Sequence, residues 1–178
     1  GKSGTTAISK SLAASLVSGT IAGGLVGNAQ HTANVDTSYA DCYLKGETYA
    51  AGLIGKCKDG GTSKGSALTN VYAAGFIDCA DMGFGSKAAG LFNVSGTVSG
   101  ANVYTAVSYL NQTEKVAVNP GVPDNSPDLA NRCYYLDPTA ASTGAQPTAN
   151  GAVSYDDMST EGLFDKAMGS AFAFKKIP

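Results

Sequence analysis

The sequence predicts an all-β fold: a parallel β-solenoid of about three to four coils, closed by a short C-terminal helical cap. Three observations predict it. A phrase occurs three times, as Ala22-Gly23-Gly24-Leu25-Val26-Gly27, Ala51-Gly52-Leu53-Ile54-Gly55 and Ala89-Gly90-Leu91-Phe92. Each copy is followed, after a polar, Gly-rich stretch, by a tyrosine-bearing apolar run: Ser38-Tyr39-Ala40, Val71-Tyr72-Ala73 and Val103-Tyr104-Thr105. The composition is that of a scaffold built from small residues, with 23 glycines and only 15% charged residues, against roughly 25% in an ordinary soluble protein. The apolar fraction of 43% separates this chain from disordered ones, which are poor in apolar residues and rich in charge.

A repeat of about thirty residues is the mark of stacked architectures. A strand of five or six residues cannot bury its apolar face alone. Stacking such strands about 4.8 Å apart pairs the backbone groups and aligns like side chains. Leu25, Leu53 and Leu91 are expected to form one interior column. Gly24, Gly27, Gly52, Gly55 and Gly90 are expected to turn corners or pass close to a neighbouring backbone.

Taken in order, residues 1–18 are a lead-in or N-terminal cap. Ile8, Leu12, Ala13, Leu16 and Val17 have helical spacing, and a worn first repeat reads equally well. Residues 19–136 carry the repeat. The leucines are spaced by 28 and 38, whereas Tyr39, Tyr72 and Tyr104 are spaced by 33 and 32. The insertions therefore fall mostly between phrase and tyrosine run, at 30–37, 56–69 and 93–102, where turn-forming residues gather. In the second run Ala73, Gly75 and Ile77 alternate with Tyr72, Ala74 and Phe76, as strand faces do. Cys133-Tyr134-Tyr135-Leu136 reads as a degenerate fourth member. Pro120, Pro123 and Pro127 mark a long loop before it, because proline at that density cannot continue a central strand. Residues 137–178 form the C-terminal capping segment. There Ser159 or Thr160 is expected to cap a helix whose face is Leu163, Phe164, Ala167 and Met168, ending at Gly169.

The net charge is −2 with a single arginine, so no basic stripe exists for nucleic acid. No apolar run is long enough to span a bilayer as a helix. No signal-peptide pattern is visible, so an exported protein is represented here by its mature form or a cut piece. Cys42, Cys57, Cys79 and Cys133 form no CxxC, and with one histidine a zinc site is not expected. Two disulfides in any of three pairings, or buried thiols acting as small apolar residues, both fit.

The phrase at 22–28, its echoes at 50–55 and 88–92, and the tyrosine runs resemble the GLUG motif, a repeat of large bacterial surface and secreted proteins. Asn131-Arg132-Cys133-Tyr134-Tyr135-Leu136 followed by Ser154-Tyr155-Asp156-Asp157-Met158 is similar to the segment that closes such arrays, where a Cys-Tyr-Tyr strand precedes a helix start. The third copy departs from the pattern, with Asn93 where the final glycine belongs. The resemblance covers residues 19 to 165. It implies a right-handed β-solenoid at the cell surface, part of a larger surface protein, with a host glycan or protein as partner. It implies no catalytic residues, no cofactor and no metal.

Other residues of the chain offer competing chemistry. Gly1-Lys2-Ser3 matches the tail of a P-loop but lacks the glycines and strand before it. Gly83 to Gly90 is a loose Gly-rich turn without the spacing of a dinucleotide fingerprint. His31 lies in a polar loop with no triad partner pattern. Asp36, Asp41, Asp78 and Asp81 carry the enzyme alternative, since stacked coils can pair carboxylates for sugar hydrolysis; Asp59, Asp78 or Asp81 could hold calcium, although no DxDxDG ladder is present. Tyr39, Tyr43, Tyr49, Tyr72 and Tyr104 could form a sugar-stacking or protein-binding ladder. The expected role is a non-enzymatic module for adhesion or spacing. A carbohydrate-active β-helix and a subunit that polymerises through its ends are the other classes.

Overall fold

The computed structural model describes residues 4–58, 66–95, 98–119, 133–144 and 151–159. These residues are almost all strand. In chain order they form β1 (Thr5–Ser9), β2 (Leu12–Ala13), β3 (Leu16–Gly23), β4 (Val26–Ala29), β5 (Thr32–Ala51), β6 (Ile54–Lys58), β7 (Ser66–Asp78), β8 (Lys87–Ala89), β9 (Phe92–Ser95), β10 (Val98–Leu110), β11 (Ala117–Asn119), β12 (Cys133–Leu136), β13 (Gly151–Val153) and α1 (Tyr155–Ser159). Every pairing among the described strands is parallel. Two sheets result. In the larger, β1, β2 and β3 add to β5, followed by β7, β10, β12 and β13, with β8 and β11 also joined through β5. In the smaller, β4, β6 and β9 lie side by side.

The pairings divide the chain into layers. β1–β4 make the first, β5–β6 the second, β7–β9 the third and β10–β11 the fourth, with β12 and β13 adding one strand each. Ile8, Leu12, Ala13, Leu16 and Val17, whose apolar spacing also suits a helix, lie in the strands β1, β2 and β3, paired along β5. Backbone pairing with a neighbouring layer satisfies the N–H and C=O groups that an isolated helix here would satisfy internally.

The repeated phrase is stacked on itself. The N–H groups of Leu25 and Val26 both donate to the Leu53 carbonyl, at 2.9 and 3.0 Å, and those of Leu53 and Ile54 to the Leu91 carbonyl, at 2.8 and 2.9 Å. Leu53 and Leu91 are fully buried. Leu25, in the outermost layer, is only half-buried, because no described layer covers it. The core continues as columns from the large sheet: Val35 and Leu68, Val71 and Val103, Leu44 and Ile77.

The phrase and the tyrosine run interlock. A Cβ on Gly24 would lie 2.2 Å from the Gly52 carbonyl oxygen and 2.5 Å from Ala40 Cβ. A Cβ on Gly52 would lie 2.2 Å from the Gly90 oxygen and 2.6 Å from Ala73 Cβ. The residue after each tyrosine thus points inward against the phrase glycine of its own repeat. In the third repeat Thr105 takes that place, and its hydroxyl donates to the Gly90 carbonyl at 3.2 Å. Small side chains at both positions let the two walls approach this closely.

One corner is built by residues of another kind. Lys10, Thr37, Asn70 and Asn102 follow one another in register, and all have left-handed backbone, with φ of 49°, 46°, 53° and 55°. Asparagine tolerates this conformation better than any other non-glycine residue.

Among the described residues the C-terminal helix is one turn, Tyr155–Ser159, too short to cap the stack. The helix face expected from the residue pattern is Leu163, Phe164, Ala167 and Met168. Those residues, with Thr160 and Gly169, lie outside the described part. The helix starts where it does because Ser154 Oγ accepts the Asp157 N–H at 3.1 Å, an N-cap bond. The Ser154-x-x-Asp157 pair is the local signal for it.

Candidate functional site

The exposed side of the large sheet carries the chain's aromatic chemistry. Leu12, Tyr39, Tyr72, Tyr104 and Tyr134 are in register across successive strands. The Tyr39 and Tyr72 rings stack with centroids 4.8 Å apart and planes 7° apart. Tyr72 and Tyr104 are 6.3 Å apart and tilted by 33°. The spacing follows from the strand repeat, which sets like side chains one above another.

The column changes character along its length. At one end α1 lays Met158 over it, and the Tyr104 hydroxyl meets Met158 Sδ. Tyr104 and Tyr134 are buried there with Val153, and Tyr72 packs against them. Burial raises the Tyr104 phenol well above its ordinary range. At the other end Tyr39 is half-buried and Leu12 is 59% exposed. Stacked rings offer each other their faces and offer the outside mainly edges and hydroxyls. A sugar platform needs free ring faces, so Tyr39 and Tyr72 are placed for mutual packing.

Four residues further along the strands runs a second column: Leu16, Tyr43, Phe76 and Ser108. Leu16 is 72% and Phe76 47% exposed. Phe76 belongs to this face through the alternation that puts Val71, Ala73 and Ile77 inside.

Beside this column the second, third and fourth layers meet at a polar corner. Asp78 is buried. It accepts hydrogen bonds from Tyr43 Oη at 2.8 Å, from Asn111 Nδ2 at 2.8 Å and from the Ala80 N–H at 3.0 Å. The Asn111 bond, with those from Ala80 and Tyr43, holds its carboxyl at about 2. Donation to Asp78 in turn raises the Tyr43 phenol. Lys45 and Asp81 form an ion pair at 2.8 Å next to it.

The enzyme alternative requires carboxylates brought together across layers. Asp36 lies opposite Ser9 and Thr69, and Asp41 opposite Ala74. Both are exposed, and Thr37 donates its hydroxyl to Asp36 at 3.0 Å. Only Asp78 and Asp81 are close neighbours, gathered around Lys45. Asp78 is held ionised, the opposite of the raised carboxyl that a general acid needs. Among the described residues no group of three or more His, Cys, Asp or Glu side chains is placed to hold a metal ion. Asp59 and Gly1-Lys2-Ser3 lie outside the described residues.

The remaining candidates have structural partners. Lys56 Nζ sits 4.4 Å over the Tyr49 ring. The His31 carbonyl accepts from Cys57 Sγ at 3.0 Å. Cys42, Cys57 and Cys79 are free thiols and buried, which settles them as small apolar residues; burial raises the Cys79 thiol. Of the Gly-rich stretch, Gly83–Ser86 is a turn closed by the Ser86 N–H on the Gly83 carbonyl at 3.2 Å, with Phe84 92% exposed at its tip, and the rest is β8 entering the third phrase.

Two groups escape a reading of motifs. Asn93, which breaks the phrase pattern, donates its amide to the Ala50 and Gly55 carbonyls at 3.1 Å each. It replaces a glycine by a side chain that bonds the neighbouring layer. Asp157 accepts from Ser142 Oγ at 2.6 Å, Thr143 N–H at 2.8 Å and Gly144 N–H at 2.9 Å. It ties the loop after β12 to α1, and the Ser142 bond leads in holding its carboxyl far below the ordinary range.

No helix among the described residues is long and apolar enough to cross a membrane. No family model, curated protein or solved structure matches the chain.

Proposed function

We propose that this chain is a right-handed parallel β-solenoid of GLUG-like repeats, serving as a non-enzymatic adhesion or spacer module of a bacterial surface or secreted protein. The observation that carries the reading is the direct stacking of the three phrases, Leu25 on Leu53 on Leu91, through backbone bonds. The sense of winding follows the strong preference of parallel strand crossovers for the right hand. The polar side chains best held in place, Asp78, Asp157, Asn93 and the Asn70–Asn102 pair, all bond groups of the chain itself. A scaffold uses its polar groups in this way, whereas an active site leaves some aimed at open space. The surface left for a partner is the half-open Tyr39, Tyr43 and Phe76 region.

A glycan and host-protein array, run beside a polysaccharide-degradation panel, tests this. Binding that is weakened by Phe76→Ser supports adhesion, and no binding supports spacing. Turnover of any polysaccharide by the purified chain, abolished by Asp41→Asn or Asp81→Asn, would sink the proposal in favour of a carbohydrate-active enzyme.

A further inference from the structure

We propose that Lys56 and Lys87, gathered around Tyr49, bind the carboxylate groups of an acidic polysaccharide. The site lies where the end of β5 meets β6 and β8. It is further along β5 than Tyr43, and so holds or fails independently of the Tyr43–Phe76 surface. Tyr49 and Lys87 are register partners on β5 and β8, which sets their side chains one above the other on the same face. Lys56 comes from the small sheet and places its ammonium 4.4 Å from the centroid of the Tyr49 ring. Two cations of successive layers thus share one aromatic side chain.

Asn93, the residue that breaks the third phrase, holds this place together. Its amide nitrogen lies 3.1 Å from the Ala50 carbonyl oxygen, 3.1 Å from that of Gly55 and 3.3 Å from that of Lys87. The two amide hydrogens are shared among these three acceptors. Ala50 follows Tyr49, Gly55 precedes Lys56, and Lys87 is bonded directly. One side chain therefore ties down the backbone beneath all three groups. The glycines that stand here in the first two phrases, Gly27 and Gly55, have no side chain to do so.

The positive charge here is not neutralised from within. Lys45, earlier on β5, is paired with Asp81 at 2.8 Å, whereas among the described residues neither Lys56 nor Lys87 has an ion pair. Glu47, the nearest carboxylate in sequence to Tyr49, accepts from the Thr20 hydroxyl at 3.0 Å, on the β3 side of β5 and away from β8. The whole chain carries a net charge of −2, so overall charge draws no polyanion to it and the attraction is local. Two ammonium groups, each a compact point charge with three donors, suit the two oxygens of a carboxylate. The Tyr49 hydroxyl and the Asn93 amide oxygen form no hydrogen bond among the described residues, and they supply contacts for sugar hydroxyls. An exposed contact to one carboxylate is weak. A polymer with a carboxylate on every sugar rebinds before it leaves, so a polyuronate is retained where a single acidic sugar is not.

Biolayer interferometry of the full 178-residue chain on immobilised polygalacturonate, in low salt with a calcium chelator, tests this. The wild type is expected to bind polygalacturonate and not dextran, a neutral polymer. Lys56→Gln and Lys87→Gln are each expected to weaken binding about fivefold, the scale of one surface charge contact, and the double variant to abolish it. Lys10→Gln removes the same charge at the Thr37 corner and is expected to bind as the wild type does. All these variants are expected to keep the wild-type circular dichroism spectrum. A wild-type chain that does not bind polygalacturonate overturns the proposal. So does a loss from Lys10→Gln as large as that from Lys87→Gln. Equal binding to dextran sulfate or to poly-glutamate also overturns it, because the ligand would then be any polyanion.

Discussion

The side-chain amide of Asn102 donates to Asn70 Oδ1 across 2.8 Å, and both residues hold left-handed backbone at the same corner of successive layers. The bond runs along the stack, so it couples the third and fourth layers at the point where each must bend. Thr37 occupies the corresponding place in the second layer with φ of 46°, a conformation that is costly for a β-branched residue.

Asn70→Ala is expected to destabilise the fold by about 2 kcal/mol, combining the left-handed backbone cost with a lost hydrogen bond. Asn70→Gly keeps the conformational freedom and is expected to cost less. Thr37→Asn is expected to stabilise by about 1 kcal/mol through relief of the same backbone cost. Urea denaturation of the three variants checks the order; an Asn70→Ala variant as stable as the wild type would refute the corner's role.

Glycines at two places are expected to respond with opposite sign. Gly52→Ala sets a Cβ 2.2 Å from a backbone oxygen, and overpacking of that kind costs about 3 kcal/mol or more. A Cβ on Gly83 meets nothing within 4 Å, and Gly83→Ala is expected to add about 0.5 kcal/mol by restricting the unfolded chain. Thermal melts of the pair make the comparison.

The leucine column is expected to grade with depth. Leu53→Ala removes a fully buried side chain, with an expected loss of about 3 kcal/mol. Leu25→Ala acts on the half-buried outermost member and is expected to cost about 1 kcal/mol, in proportion to the apolar area it covers. Equal losses at the two positions would contradict the layer order.

Acid stability is expected to report the Asp78 corner. The folded carboxyl lies at about 2, below the roughly 3.9 of an unfolded aspartate. A depressed folded value means that the contribution is complete above pH about 4 and is lost as pH falls toward 2. Asp78→Asn cannot titrate, so its stability is expected to fall less steeply between pH 4 and 2. Identical slopes for wild type and variant would show that the corner carries no such linkage. The Asp157 clasp titrates in the same direction and is left intact by the comparison.

The strands of the phrases and tyrosine runs, the inward Leu53 and Leu91 and the shared face of Tyr72 and Phe76 were legible in the sequence because each rests on local alternation repeated in register. The reach of the strands was not: residues 32–37, 66–69 and 98–102, rich in turn-forming residues, belong to β5, β7 and β10, where pairing with the neighbouring layers holds them extended. The corner was harder to read. Asn70 and Asn102 each stand two residues before a tyrosine, a regular position whose meaning depends on backbone φ and not on apolarity. Ile8, Leu12, Ala13, Leu16 and Val17 suit either helix or strand by apolar spacing alone, and only the neighbouring β5 decides between them. The Asp78 corner draws on Tyr43, Asn111 and Ala80 from three separate segments. The Ala80 bond is the local contact an aspartate makes with backbone two residues on, but nothing in the sequence spacing of Tyr43 and Asn111 announces that they meet Asp78.

The interlocked small residues have a further consequence for how such a chain changes over time. Gly24 with Ala40, Gly52 with Ala73 and Gly90 with Thr105 fix one vertical step per repeat, about one strand spacing of 4.8 Å, whatever length of chain is spent elsewhere. The leucine spacings of 28 and 38 show that surplus residues leave sideways. On the proposed solenoid reading, the molecule is in effect a ruler graduated in strands. Duplication of one repeat lengthens its reach by a single graduation, while a longer side loop alters what it can touch and leaves its length as it was.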